Sequence, residues 1–362
     1  MSDIYSLKAQ RVSLTAQTMQ FILRSIVLIM LAASPASAQT KSVADLANYR
    51  GADREEMLKA GAKREGKMIW YTSLTAHRDI ANVFEAKYPG VKVETYRAGP
   101  NDLTRRLLTE AQSQHNIADL IETTPSTLML MRDSKLLMPY YSPHLVNFPE
   151  DAKEEADKSR VFWTTDRESI VGLGYNRNLI RANEVPKNFA ELARPENRGK
   201  IGVSGDTTGV RFIGAMIKAK GEEYVVQLRS LDIKMHMISG GAMHELMAAG
   251  EMPMSISIFR NHVLAAKPKG APTEWVPMDL NPTNAGGVAL PVATNSPYAA
   301  LLFLDFLLSP EGQKIFEEKF RFATSTKNYG FKRWYPEKGY TLDQYEKAEE
   351  RWKKLLRDLI RK

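Results

Sequence analysis

Residues 67–96 read KMIWYTSLTAHRDIANVFEAKYPGVKVETY, and the order of residue types in this stretch decides the fold. Lys67 to Ser73 is a short apolar, β-prone run. Ser73 and Thr75 then offer hydroxyl oxygens that can cap the start of a helix. Ile80, Val83, Phe84 and Tyr88 recur at helical spacing, Pro89-Gly90 stops the helix, and Val91, Val93 and Thr95 alternate with polar residues as a second strand. Strand, helix and strand in such short succession form the repeating unit of a largely parallel sheet covered on both faces, so the fold class is α/β. In such sheets small ligands sit beyond the carboxyl ends of the strands, which makes Ser73-Leu74-Thr75 the first place to expect one.

Upstream, Ser25 to Ala33 (SIVLIMLAA) is an apolar run preceded by Arg24 and followed by Ala36-Ser37-Ala38. This is the pattern of a cleavable export signal over residues 1–38, with Met19 as a possible second start. The run is too short to span a bilayer, and an uncleaved anchor is the alternative. Residues 39–362 suffice for two α/β lobes. The chain has no cysteine, which excludes disulfides, thiolate metal sites and a thiol nucleophile. The net charge of +8 is spread among interleaved acids, as in Lys153-Glu154-Glu155, so nucleic acid is not an expected partner. A soluble monomer of the periplasm is the natural reading.

Further along, one helix is expected from Val43 to Lys63, ending near Gly61. A helix over Leu103, Leu107, Leu108 and Ala111 precedes a short strand, Ala118 to Ile121, and Thr124-Pro125 begins another helix. Ile170 to Tyr175 and Lys200 to Val203 read as strands. Three strand-to-helix turns follow, at Gly205 to Gly209, at Ser239-Gly240-Gly241 and near Phe259, each expected to deliver free backbone N–H groups. After Asn281-Pro282-Thr283-Asn284 come a strand over Gly287 to Pro291 and helices from Pro297 and Pro310. The last helix, Leu342 to Ile360, carries Tyr345, Ala348, Trp352, Leu355, Leu356 and Leu359 on one stripe, as a docked terminal helix does.

These pieces carry a resemblance. In order, "WYTS", "ANVFEAKYPGVKVE", "ADLIETTP", "GLGYNRNLI", "GKIGVSGDTTG", "AAGEMPMSISIFRNH" and "NAGGVALPVATNSPYAALLFLDFLLSPEGQKIFEEK" resemble the type II periplasmic solute-binding proteins of ABC transporters, in particular the ferric-iron-binding group. The resemblance implies a two-lobe fold with crossing strands, a ligand cleft between the lobes, and delivery to an inner-membrane permease with its ATPase. It places the first lobe at 39–168 plus 285–325 and the second at 169–284 plus 326–362.

Ferric-binding members hold the metal with a His, a carboxylate and two adjacent Tyr. At the matching positions this chain has Thr75, Thr124, Arg260 and Asn261, none of which is an anionic oxygen donor or imidazole. No metal and no cofactor is therefore expected. What the resemblance retains is an anion site: Thr207, Thr208 and Gly209 at a helix start, Arg260 for bidentate hydrogen bonds, and Arg97 from the opposite lobe, with Ser73, Thr75 and Thr124 at strand ends. The expected cargo is a small organic anion such as a carboxylate, phosphonate or sulfonate. The alternatives are ferric iron or an iron chelate and, in another class, a periplasmic enzyme on the same scaffold. Against the enzyme stands the lack of a nucleophile elbow or HExxH motif.

Overall fold

A computed structural model describes residues 41–360; the expected export signal and the alternative start at Met19 lie outside the described residues. In chain order the elements of the first half are α1 (Val43–Ala47), α2 (Arg54–Glu65), β1 (Lys67–Thr72), α3 (His77–Lys87), β2 (Lys92–Arg97), α4 (Pro100–Gln112), β3 (Leu120–Thr123), α5 (Pro125–Asp133), β4 (Leu137–Met138), β5 (Lys153–Glu155) and β6 (Val161–Asn176). There follow α6 (Phe189–Leu192), β7 (Ile201–Ser204), α7 (Thr207–Lys220), α8 (Glu222–Gln227), β8 (Lys234–His236), α9 (Gly240–Ala249), β9 (Met254–Phe259), α10 (Arg260–Ala266) and β10 (Thr273–Val276). The chain ends with β11 (Asn281–Pro291), α11 (Pro297–Leu308), α12 (Pro310–Glu318), β12 (Arg333–Trp334) and α13 (Leu342–Leu359). Among the described residues no helix is long and apolar enough to cross a membrane.

The strands run β2-β1-β3-β11-β6-β9-β7-β8 through one twelve-stranded sheet. β1 pairs in parallel with β2 and with β3, and β7 pairs in parallel with β8 and with β9. The two parallel sets are joined by two long antiparallel strands, β6 and β11, which pair with each other from Trp163 with Ala289 to Ile170 with Thr283. Beyond Ile170, β6 takes β9 as its partner, from Val171 with Phe259 onward. The chain thus forms two lobes on a shared pair of crossing strands. The 16-residue β6 far exceeds the strand read at Ile170 to Tyr175. Its first half includes Thr164, Thr165, Asp166, Arg167 and Glu168, all buried, and polar residues buried on both faces erase the alternation that marks a strand.

Two local expectations change. The single helix from Val43 splits, because the Arg54 guanidinium takes the carbonyls of Leu46 and Tyr49 and pairs with Asp305 at 2.8 Å. These carbonyls at the end of α1 are met by a side chain instead of by further helix. α2 then runs through Gly61, against which the Tyr298 ring lies too close for any Cβ, and stops at Gly66 with a left-handed φ of 73°. Neither Ser73 nor Thr75 caps α3, which begins after Ala76 with no side-chain cap. Ser73 instead donates N–H to Glu122, and Thr75 is exposed.

The core of the first lobe is aromatic, with the Phe303 ring 4.9 Å from Trp70 and 4.8 Å from Phe84, both edge-on. In the second lobe α13 docks on α7. Trp352 covers Gly214 and meets Trp334 edge-on at 5.5 Å, which burial of the sequence stripe requires.

Candidate functional site

A cavity of about 650 Å³ opens between the lobes. Its floor is Val171 of β6 and Asn284 of β11, so the crossing strands themselves form the base. The first lobe supplies the starts of α4 and α5, with Asn101, Thr104, Thr124, Ser126 and Thr127. The second supplies Asp206, Thr207 and Thr208 at the start of α7, Ser239 and Gly240 at the start of α9, and Phe259. The third wall is α13, through Leu342, Tyr345, Glu346, Glu349 and Lys353.

The helix starts around the cavity differ in how their N–H groups are used. Asp206 accepts the Thr208 N–H at 2.8 Å and the Ser204 hydroxyl at 2.6 Å, so the first turn of α7 already holds a carboxylate. Ser239 accepts the Ala242 N–H at 3.3 Å. α5 has no such cap: Thr124 faces the Ser126 hydroxyl at 3.3 Å, and the N–H groups of its first turn have no side-chain acceptor. The expectation of free N–H groups at each turn of the second lobe is therefore corrected for α7 and α9, where Asp and Ser side chains outcompete solvent.

The sequence-derived candidates fall into two sets. Thr124, Thr207 and Thr208 line the cavity together. Ser73, Thr75, Arg97, Gly209, Arg260 and Asn261 do not. Ser73 turns toward Glu122 at the end of β3, and Arg97 is exposed at the end of β2. Gly209 is buried beneath the Ser204 carbonyl, where a Cβ would stand 1.9 Å from the oxygen. Arg260 lies over the Tyr329 ring at 4.8 Å and forms no ion pair with a described carboxylate. Asn261 is buried with its side-chain oxygen unpartnered.

The charges that line the cavity were not singled out from sequence. Arg211 is buried, donating to Glu337 at 2.5 Å and to the Thr283 carbonyl at 2.9 Å. Lys353 pairs with Glu349 and Glu350, both at 2.9 Å. Tyr345 donates to Glu349 at 3.4 Å, and burial pushes its phenol up. The apolar stripe of α13 was legible, but its polar flank reads like any solvated face. Among the described residues no group of three or more His, Asp or Glu side chains could hold a metal ion.

Residues 79–338 match the family model described as a bacterial extracellular solute-binding protein. An uncharacterized protein of Haemophilus influenzae is 25% identical over 267 residues, 70% of this chain and 76% of the relative. Iron-bound HitA from Pseudomonas aeruginosa superposes with a TM-score of 0.62 at 20% identity, over 81% of this chain and 99% of the other. AfuA from Actinobacillus pleuropneumoniae, with fructose-6-phosphate bound, gives 0.61 at 23% identity over 82% and 99%. The substrate binding protein of an ABC transporter from Agrobacterium tumefaciens gives 0.64 at 15% identity over 82% and 97%.

Proposed function

The chain belongs to the bacterial extracellular solute-binding protein family, and from that premise we propose that it captures a small organic anion in the inter-lobe cleft and delivers it to an ABC permease and its ATPase. The family consists of solute-binding components of the periplasm or cell exterior, and both it and the structurally similar proteins are binding proteins. The observation that carries the ligand class is the start of α5, which opens into a cavity lined by hydroxyls with its first-turn N–H groups uncapped. Thr207 and Thr208, which line the same cavity from the second lobe, support a second contact there, whereas Arg260 stands outside the lining over the Tyr329 ring. Asp206, Glu346 and Glu349 also line the cavity, against Arg211 and Lys353. A solute with one carboxylate, phosphonate or sulfonate and a hydrogen-bonding remainder suits this mixture better than a multiply charged one.

Such a solute binds both lobes at once only when they approach, so it shifts the population toward the closed form. We propose lobes at 39–168 plus 285–325 and at 169–284 plus 326–362. The exchange of β6 from β11 to β9 between Ile170 and Val171 supports that division. We further propose a monomer, exported by a cleaved signal and free of any cofactor.

Native mass spectrometry of the protein purified without refolding, followed by a thermal-shift screen of carboxylates, phosphonates, sulfonates and ferric citrate, tests the reading. The true ligand at 100 times its Kd stabilises by about 2.7 kcal/mol. A shift with ferric citrate alone, with a coloured species retained, replaces the organic anion by an iron chelate. Turnover of a retained ligand would make the protein an enzyme.

A further inference from the structure

Where β6 and β11 change register, a carboxyl group is buried with nothing to bond. Arg167 pairs with Gly286 and Thr165 with Gly287, so Asp166 is the extra residue of a β-bulge. It is fully buried, and neither carboxyl oxygen has a hydrogen-bond partner.

The groups that face it come from each element packed there. From β3, Glu122 accepts from Arg167 Nη2 at 2.9 Å and from the Thr72 hydroxyl at 2.5 Å. From β6 itself comes Arg167, its Nε unpartnered. Gln313 of α12 donates to the Asp166 carbonyl at 2.8 Å. The Tyr140 phenol lies on the same side and donates to the Val288 carbonyl at 3.0 Å, with Asp305, paired to Arg54, beyond it. Glu168, two residues on, is closed off by Arg333 and Tyr335. β11 contributes only Gly286. A Cβ there would stand 2.3 Å from Glu122 Oε1 and 2.9 Å from both Asp166 Oδ1 and Arg167 Nε. Oxygens at 2.3 and 2.9 Å from one point lie within about 5 Å of each other.

The charge count decides the protonation. Arg167 is the one cation that faces both carboxylates, with Nη2 on Glu122 and its unpartnered Nε within about 6 Å of Asp166 Oδ1 by the same construction, so Glu122 and Asp166 share a single positive charge. Two ionised carboxylates buried within about 5 Å of each other on one guanidinium cost more than one carboxylate beside one neutral acid. We infer that Asp166 is a proton-binding site of the hinge: it is held as the neutral acid at neutral pH, and its ionisation loosens the crossing strands on which the lobes turn. Burial, with the nearby Glu122 charge adding to it, pushes the Asp166 carboxyl well above the usual carboxylate range. A raised folded-state pKa contributes stability that is complete below the unfolded value and is lost as pH rises through the folded one.

The test needs no ligand and is independent of the cargo. Thermal unfolding of the full chain and of Asp166→Asn is compared from about pH 5 to about pH 9. The variant is expected to outlast the wild type by a margin that widens by several degrees from the acid end to the alkaline end. A gap that does not change with pH overturns the proposal. Should Asp166→Asn not fold, infrared spectra of the wild type read the same group: the C=O band of a protonated acid persists at neutral pH, and its absence overturns the assignment. Hydrogen exchange reads the loosening, with amides of 163–170 and 283–289 opening more at alkaline pH in the wild type only. Equal opening in both proteins overturns the link to the hinge.

Discussion

Replacing Gly209 by Ala separates a packing role from a ligand role at one atom. The new Cβ would lie 1.9 Å from the Ser204 carbonyl oxygen and 3.1 Å from a Val203 methyl. Since Cβ contacts below 3.0 Å do not occur, the start of α7 has to retreat from β7 by about 1 Å. The obstacle is backbone, so no rotamer change relieves it. That retreat also breaks the cap in which Asp206 holds the Thr208 N–H at 2.8 Å. Overpacking costs about 1–3 kcal/mol and loss of the cap about 1 kcal/mol, giving about 2–4 kcal/mol together. Urea unfolding is expected to show a lower midpoint with an unchanged slope. A variant within about 0.5 kcal/mol of wild type would refute the packing argument. Loss of solute binding with stability intact would return Gly209 to the ligand.

Three other outcomes follow from the same geometry. Trp352→Ala removes a ring only 5% exposed, packed on Gly214 and Trp334; it is expected to cost about 3–5 kcal/mol and to undock α13, and retention of the wild-type melting temperature contradicts this. Arg211→Met leaves Glu337 buried and uncompensated, at about 3–5 kcal/mol, and adding Glu337→Gln should recover much of the loss; strictly additive effects in urea speak against a coupled pair. His262 is pushed down to about 4, by burial first and by His244 second. Its contribution is present above the unfolded value near 6.5 and is lost as pH falls toward 4, by up to about 3 kcal/mol. His262→Gln should flatten that acid limb, and an unchanged limb in chemical unfolding argues otherwise.

The sequence made the parallel halves readable and hid the middle. β1, α3 and β2 follow apolar periodicity because each buries one face against the first-lobe core. β6 and the start of β11 were not fully legible, since a strand shared by two lobes has no solvent face to betray it. Thr164 to Glu168, Asn281 and Thr283 are polar yet buried, which reads as loop to any pattern of exposure. At the site, Thr124, Thr207 and Thr208 could be found from their place after strands. Arg260 was reached through the resemblance, and its docking on Tyr329, outside the cavity lining, depends on a segment almost 70 residues later. The α13 wall could not be read, because the contact between a terminal helix and a cleft formed by distant strands is written in no local period.

The absence of cysteine from the whole chain has a practical consequence. α2 packs beside α11 in the first lobe, while α13 rides on α7 in the second. Glu56 on α2 and Lys347 on α13 are both exposed. Glu56→Cys and Lys347→Cys would therefore be the only two thiols available to dyes, one on each lobe. Under the proposed closure, energy transfer between them would turn lobe approach into an optical signal, so that a bound solute announces itself from a crude metabolite mixture.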